Sequence, residues 1–212
     1  RDRLKVIYDA AHAFGSEYKG QSVLNFGDVS TLSFHATKLL HTIEGGAVIT
    51  NDDELAQKIR TMINFGISTP ISITSVGTNA KMNEFEAAMG LCVLDDIEYV
   101  REQREGIWQR YTEELADEFT MQQWNENGHN NHAYAPILFK SEEQLLKAEA
   151  KLKENDILAR RYFYPSLDTL EYLGSEQVCK NSRDIASRIM CIPIFPDLTV
   201  EEQSRVIASI QS

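Results

Sequence analysis

Short apolar runs alternate with stretches of helical period along almost the whole sequence, and that alternation restricts the fold more than any other feature. Residues 5–8 read as a short buried strand closing on Asp9, and residues 30–34 and 47–50 as two more. At 51–54, Asn-Asp-Asp-Glu puts acidic groups where the positive end of a helix dipole favours them, and Leu55, Ile59, Met62 and Ile63 follow at helical spacing. Gly66 and Pro70 mark a loop. From 83 to 118, Phe85, Met89, Val93, Ile97, Val100, Ile107 and Tyr111 keep a rough helical period. That stretch is one long helix or two joined by a kink, with Gly106 as the weak point. Further on come a strand at 134–139, a helix capped by Ser141 and running to 154, and a strand at 157–164 ending at Pro165. A helix at 176–189, a strand at 190–194 and a terminal helix opened by Thr199-Val200-Glu201-Glu202 complete the chain. The alternation predicts an α/β protein, divided near residue 110 into 1–110 and 111–212.

Composition narrows the partners. The net charge of -11 comes without a Lys/Arg cluster, so a duplex-binding surface is not expected. No apolar run approaches the ~20 residues that span a bilayer, so no membrane partner is expected. The 3 cysteines, Cys92, Cys179 and Cys191, are far apart and lack CxxC spacing, which indicates neither a zinc site nor a disulfide framework. A reducing cytoplasm is the expected compartment. The chain opens on Arg1-Asp2-Arg3 with no initiator Met and no signal peptide, which suggests a start inside a longer protein.

Three spots carry groups capable of chemistry. In Val6-Ile7-Tyr8-Asp9-Ala10-Ala11-His12, a carboxylate ends a strand, where open α/β sheets place ligand groups. A plain strand-end cap is the competing reading. In Ser33-Phe34-His35-Ala36-Thr37-Lys38, a lysine follows an apolar strand; a pocket there would lower its pKa and free a nucleophilic amine. A lone lysine is otherwise a solvated surface group. In Gly77-Thr78-Asn79-Ala80-Lys81-Met82-Asn83-Glu84, a polar loop opens the long helix, with ordinary capping by Asn79 or Asn83 as the alternative.

The order and spacing of these stretches, with Glu44-Gly45-Gly46-Ala47, Arg161-Tyr162-Phe163-Tyr164-Pro165 and Ile192-Pro193-Ile194-Phe195-Pro196, resemble the DegT/StrS family of aminotransferases that use pyridoxal 5'-phosphate (PLP) and act on nucleotide-linked sugars. The resemblance covers nearly the whole chain. It implies the second half of a type I PLP-transferase large domain over 1–110 and a small α/β domain over 111–212. It implies that Lys38 holds the cofactor covalently and moves a proton, that Asp9 pairs with the ring nitrogen, and that Ala11 lies against a ring face. His12 would reach the ring hydroxyl, and Ser33 the phosphate. Asn79 would reach the phosphate of a neighbouring subunit's cofactor, which implies a homodimer with a shared site. His35 faces the substrate or only packs, and Gly45 and Gly46 allow a tight turn. No metal is implied.

The implied reaction transfers an amino group from L-glutamate to a nucleotide-linked keto-deoxysugar such as dTDP-4-keto-6-deoxyglucose, toward a glycan amino sugar. The Ser-Phe-His-Ala-Thr-Lys form followed by Glu44-Gly45-Gly46 looks most like members that make 4-amino-4,6-dideoxy sugars. Relatives with His at the lysine position dehydrate, so Lys38 favours transfer. Family members extend roughly a domain further at the N-terminus, with a phosphate-gripping loop and a stacking aromatic. The chain alone is therefore expected to be inactive. A non-catalytic binding or regulatory relative and a PLP-dependent lyase or dehydratase are the alternatives.

Overall fold

A computed structural model of the chain describes residues 4–174 and 177–212. Its elements, in order, are β1 (Ile7–Asp9), β2 (Glu17–Tyr18), β3 (Gln21–Ser22), β4 (Val29–Ser33), β5 (Gly46–Ile49), α1 (Asp53–Ile63), β6 (Ile67–Thr69), β7 (Ser72–Ile73), α2 (Glu84–Asp95) and α3 (Ile97–Leu115). There follow β8 (Thr120–Met121), β9 (Gly128–His129), β10 (Ala135–Leu138), α4 (Glu142–Glu154), α5 (Lys180–Arg188), β11 (Ile189–Ile192) and α6 (Val200–Gln211). This is the expected α/β class. By contacts the chain forms two compact units, residues 1–98 with 124–131, and residues 99–123 with 132–212. The divide falls before residue 110 because Ile107, Tyr111 and Leu115 of α3 all belong to the second unit's core. Residues 124–131 return to the first unit because β9 pairs with β2.

In the first unit β4 is the central strand, parallel to β1 and antiparallel to β5. Asp28 fastens the start of β1. Its carboxylate accepts from Val6 N and from Lys5 Nζ, each at 2.8 Å, and both bonds hold it below the usual carboxylate range. The β1 strand is not buried as its sequence suggests: Ile7 is 69% and Tyr8 47% exposed. Alternation and β-branching report a strand's conformation but not whether a second layer covers it.

A smaller sheet, β3-β2-β9, sits on the chain that follows β1. Its register pairs Glu17 with His129 and Tyr18 with Gly128, and Lys19 N donates to Asn127 O at 2.7 Å. Helix α1 is capped by Asp52, whose carboxylate accepts from Leu55 N at 3.0 Å. The long helical stretch is two helices, and the break lies at Asp96 rather than at Gly106. Asp95 and Asp96 are disfavoured at the negative end of α2, whereas Glu98 in the first turn of α3 suits the positive end. Gly106 has open space beside it and stays inside α3.

The second unit is built on an antiparallel sheet, β11-β10-β8, with α4 packed on α5 and α6. Tyr111, Leu115, Ile137, Phe139, Leu145 and Met190 are fully buried in one cluster. Phe119 meets Phe139 edge to face at 5.0 Å between centroids. The Tyr111 hydroxyl donates to Pro193 O at 2.9 Å, so its polar tip is satisfied and burial pushes its pKa up. Ser141 and Thr199 cap α4 and α6 as the sequence indicates, the second through a capping box with Glu202.

Residues 157–164 do not form a strand. Only Arg160 bridges, to Cys191, and Phe163 and Tyr164 stand 61% and 50% exposed. Its aromatic content imitates a strand, but without a pairing partner beyond that one bridge the segment stays irregular: Ile157 and Ala159 pack against the core while Phe163 and Tyr164 turn out to solvent. The expected helix at 176–189 begins at Lys180, and Glu176 lies outside the described residues. Asp168 staples the preceding loop to α5: it accepts from Ser166 Oγ (2.5 Å), Cys179 N (2.7 Å) and Arg183 Nε (2.8 Å), which lowers its pKa to about 2.

Candidate active site

The candidate groups gather at the ends of β1 and β4. Parallel pairing of β1 with β4 sets Asp9 opposite Thr31, so the chain leaves both strands on the same edge of the sheet. After β1 the chain turns at once. Ala10 N still donates to Thr31 O, and Ala13 N closes a turn on Ala10 O at 2.9 Å. Asp9 Oδ1 accepts from Ala11 N at 3.1 Å, so the carboxylate does cap the strand end. That bond fixes its direction and leaves it exposed for a ligand.

After β4 the chain forms a compact loop. Phe34 N donates to Gly45 O, Thr42 N to Phe34 O, and Lys38 N to His35 O, each at 2.9 Å. Gly45, at φ +147, has a conformation closed to ordinary residues, and a side chain there would strike Thr42 Oγ1. At Gly46 an added Cβ would lie 2.7 Å from the Leu32 carbonyl oxygen, so strands β4 and β5 need a residue with none. The Glu44-Gly45-Gly46 motif is thus the closing turn of the loop that presents Lys38.

The loop brings Lys38 to His12. Lys38 Nζ lies 3.1 Å from His12 Nε2, across 26 residues of sequence. Lys38 is therefore not a freely solvated side chain. Burial lowers the His12 pKa, the Lys38 charge lowers it further, and Asp9 pulls it back up. These three groups act on one another, with the imidazole between the cation and the anion in electrostatic terms. A neutral His12 offers its Nε2 lone pair to the Lys38 ammonium, which then has a local proton acceptor.

The other residues are placed less directly. Ala11 lies in the turn between Asp9 and His12. Ser33 ends β4, and its Oγ accepts from His35 N at 3.3 Å. His35 Nδ1 accepts from Thr37 N at 3.3 Å, which turns its Nε2 toward Glu44 Oε1 at 3.7 Å. Asn79 lies on another segment: it bridges to Asn64, and its Oδ1 accepts from Lys81 Nζ at 2.7 Å. Asn83, not Asn79, caps α2, with Glu86 completing a capping box. A cleft of about 770 Å³ in this unit lies between β5 and α1 and is lined by Leu32, Val48, Ile59 and Ile63 among others. Asp9, His12, Ser33 and Lys38 lie outside its lining, so chemistry rather than volume identifies the site.

One site neighbour escapes sequence reasoning. Asn131, 5% exposed, donates to the carbonyls of His12 and Phe14. The only signal in the sequence is the polar run Asn130-Asn131-His132, which reads as loop.

The amine, imidazole, carboxylate and hydroxyl at one sheet edge match the donor set that an aldehyde cofactor with a basic ring nitrogen and a phosphate requires. Comparison with known proteins points the same way. The model of the DegT/DnrJ/EryC1/StrS aminotransferase family matches residues 1–211. A dTDP-4-amino-4,6-dideoxy-D-glucose transaminase of Shigella dysenteriae is 40% identical over 98% of this chain and 59% of its own length. The crystal structure of DesI in the presence of its TDP-sugar product is 34% identical, with a TM-score of 0.88 over 98% of this chain and 55% of that one. Helicobacter pylori PseC, an aminotransferase of pseudoaminic acid biosynthesis, is 28% identical with a TM-score of 0.88, over 98% and 59%. The chain thus spans less than two thirds of the relatives it matches.

Proposed function

Because this chain belongs to the DegT/DnrJ/EryC1/StrS aminotransferase family, we propose that the whole protein transfers an amino group from L-glutamate to a keto-deoxysugar carried on a nucleoside diphosphate, with PLP held by Lys38. The observation that carries this reading is the approach of Lys38 Nζ to His12 Nε2 at 3.1 Å, beside the strand-end carboxylate of Asp9. When bound, the cofactor supplies a ring that withdraws electrons from the substrate carbon.

The chain's own residues do the rest. Lys38 would hold the cofactor through its amine and would move a proton at Nζ. Asp9 keeps a carboxylate where the ring nitrogen can stay protonated. Ala11, small and in the turn after Asp9, gives the ring room. His12 accepts a hydrogen bond from Lys38 and reaches the ring hydroxyl. Ser33 offers a hydroxyl to the phosphate. The reaction divides into two halves, glutamate first and sugar second, so one site serves both substrates in turn.

The preferred sugar is dTDP-4-keto-6-deoxyglucose, by likeness to the Shigella dysenteriae dTDP-4-amino-4,6-dideoxy-D-glucose transaminase. Asn79 serves the neighbouring subunit's phosphate, which makes the working unit a homodimer. The cytoplasm is the compartment proposed, consistent with three free cysteines. The unit formed by residues 1–98 and 124–131 carries the groups proposed to bind the cofactor.

The test uses the full-length protein loaded with PLP. Borohydride reduction followed by peptide mapping should place the adduct on Lys38, and Lys38→Ala should abolish both the adduct and 2-oxoglutarate release from glutamate and keto sugar. Loss of water from the sugar without 2-oxoglutarate would indicate a dehydratase. Absence of both adduct and product would leave a non-catalytic relative.

A further inference from the structure

The Asn131 side chain reaches back 119 positions in sequence. Its amide nitrogen donates to His12 O at 2.7 Å and to Phe14 O at 2.8 Å. An amide nitrogen carries two hydrogens, so both are spent on this one loop. The loop itself is tied at its two ends: Asp9 and Ala10 hold its start, and Ser16 N donates to Ala13 O at 3.0 Å near its end. The carbonyls of residues 12 and 14 lie between those ties, and Asn131 takes both.

We propose that Asn131 is a positioning residue that acts through the backbone of residues 12–14 to hold the His12 imidazole against the Lys38 amine. Its catalytic meaning rests on the reading of Lys38 given above. The clamp is itself held in register. Strand β9 pairs Glu17 with His129, and Lys19 N donates to Asn127 O, so the segment that ends in Asn131 is anchored on β2 before it reaches the loop. The Asn131 side chain is almost entirely out of water. A buried amide bonded to two carbonyls fixes direction as well as distance, because its two N–H vectors are set at a constant angle. Lys38 and Asp9 are the charged groups that act on the imidazole so held.

A clamp on residues 12–14 sets the titration of His12, because the burial and the Lys38 charge that lower its pKa both depend on where those residues hold the ring. The measurement is deuterium exchange at the imidazole ring carbon, read by mass spectrometry on the full-length protein without cofactor across a pH series. In the wild type the His12 midpoint should lie below the ordinary histidine value of 6.5. Asn131→Leu keeps the size and removes both donors without adding charge. It should raise the His12 midpoint toward that ordinary value. Asn131→Ser keeps one donor and should move His12 part of the way. An unmoved His12 midpoint in a folded Asn131→Leu protein overturns the proposal. If that variant does not fold, an unmoved midpoint in Asn131→Ser does the same. A wild type that forms no adduct at Lys38 but shows the His12 shift loses its proposed function and keeps the clamp.

Discussion

In the second unit Tyr111, Leu115, Ile137, Phe139 and Leu145 are removed from water altogether, while on the first unit's sheet Ile7 and Tyr8 stay 69% and 47% exposed. Helix α2 shows the same contrast: Phe85 is 90% and Leu91 66% exposed, whereas Leu145, Ala148 and Leu152 of α4 are buried. Each described unit has ordinary caps, turns and sheet pairing. What separates them is apolar closure. The groups proposed for chemistry lie in the unit with the open apolar faces, so the part of the chain that holds itself together is not the part that would react. Open apolar faces of this extent mark surfaces that other protein covers.

The contrast can be broken or sharpened by substitution. Phe139→Ala should cost about 3–5 kcal/mol in a denaturant melt of the second unit, from lost burial and the cavity left behind. A cost near zero would erase the difference between the units. The helix caps should not respect the divide: Asn83→Ala in the first unit and Thr199→Ala in the second should each cost about 1 kcal/mol, since each removes a capping box. Ile7→Ala should cost less than about 0.5 kcal/mol in this chain, because most of its surface is already in water.

Acid should also separate the units. The folded-state pKa of His12 lies below 6.5, so the unfolded chain takes up that proton first and the first unit loses stability as pH falls through and below about 6.5. Asp168 has the same sign in a lower window. Its contribution is complete above its ordinary value of 3.8 and fades as pH drops toward about 2. Backbone hydrogen exchange followed as pH is lowered should therefore rise in residues 7–16 before it rises in residues 166–174 and 177–183. His12→Gln should remove the earlier rise, and Asp168→Asn should cancel the later one.

The elements fixed by local chemistry were readable. Ser141 and Thr199 cap helices where the sequence placed caps, and α1 starts within the acidic run 51–54, because a helix start needs only a side-chain oxygen or charge and the next turn. The motifs around Asp9, His12 and Lys38 marked two strand ends, and the fold brings Lys38 to His12. Features that depend on distant partners were not readable. Residues 157–164 have the composition of a strand but lack a partner strand, and β1 has the composition of a buried strand but lacks a cover. The helix break at Asp96 follows from end charges rather than from the glycine that intrinsic propensity singled out. Asn131 was hidden for the same reason: nothing near it in sequence tells which carbonyls it will meet.

The pairing of β2 with β9 has a consequence for biosynthesis. A ribosome delivers residue 12 long before residue 131, so the nascent loop leaves the exit tunnel without its fastening. Imidazole and amine can settle into their final spacing only after the later segment has emerged and folded back. The spacing of those two groups is therefore completed late in translation, and a chain stalled before residue 124 would carry Asp9, His12 and Lys38 and still present them loosely.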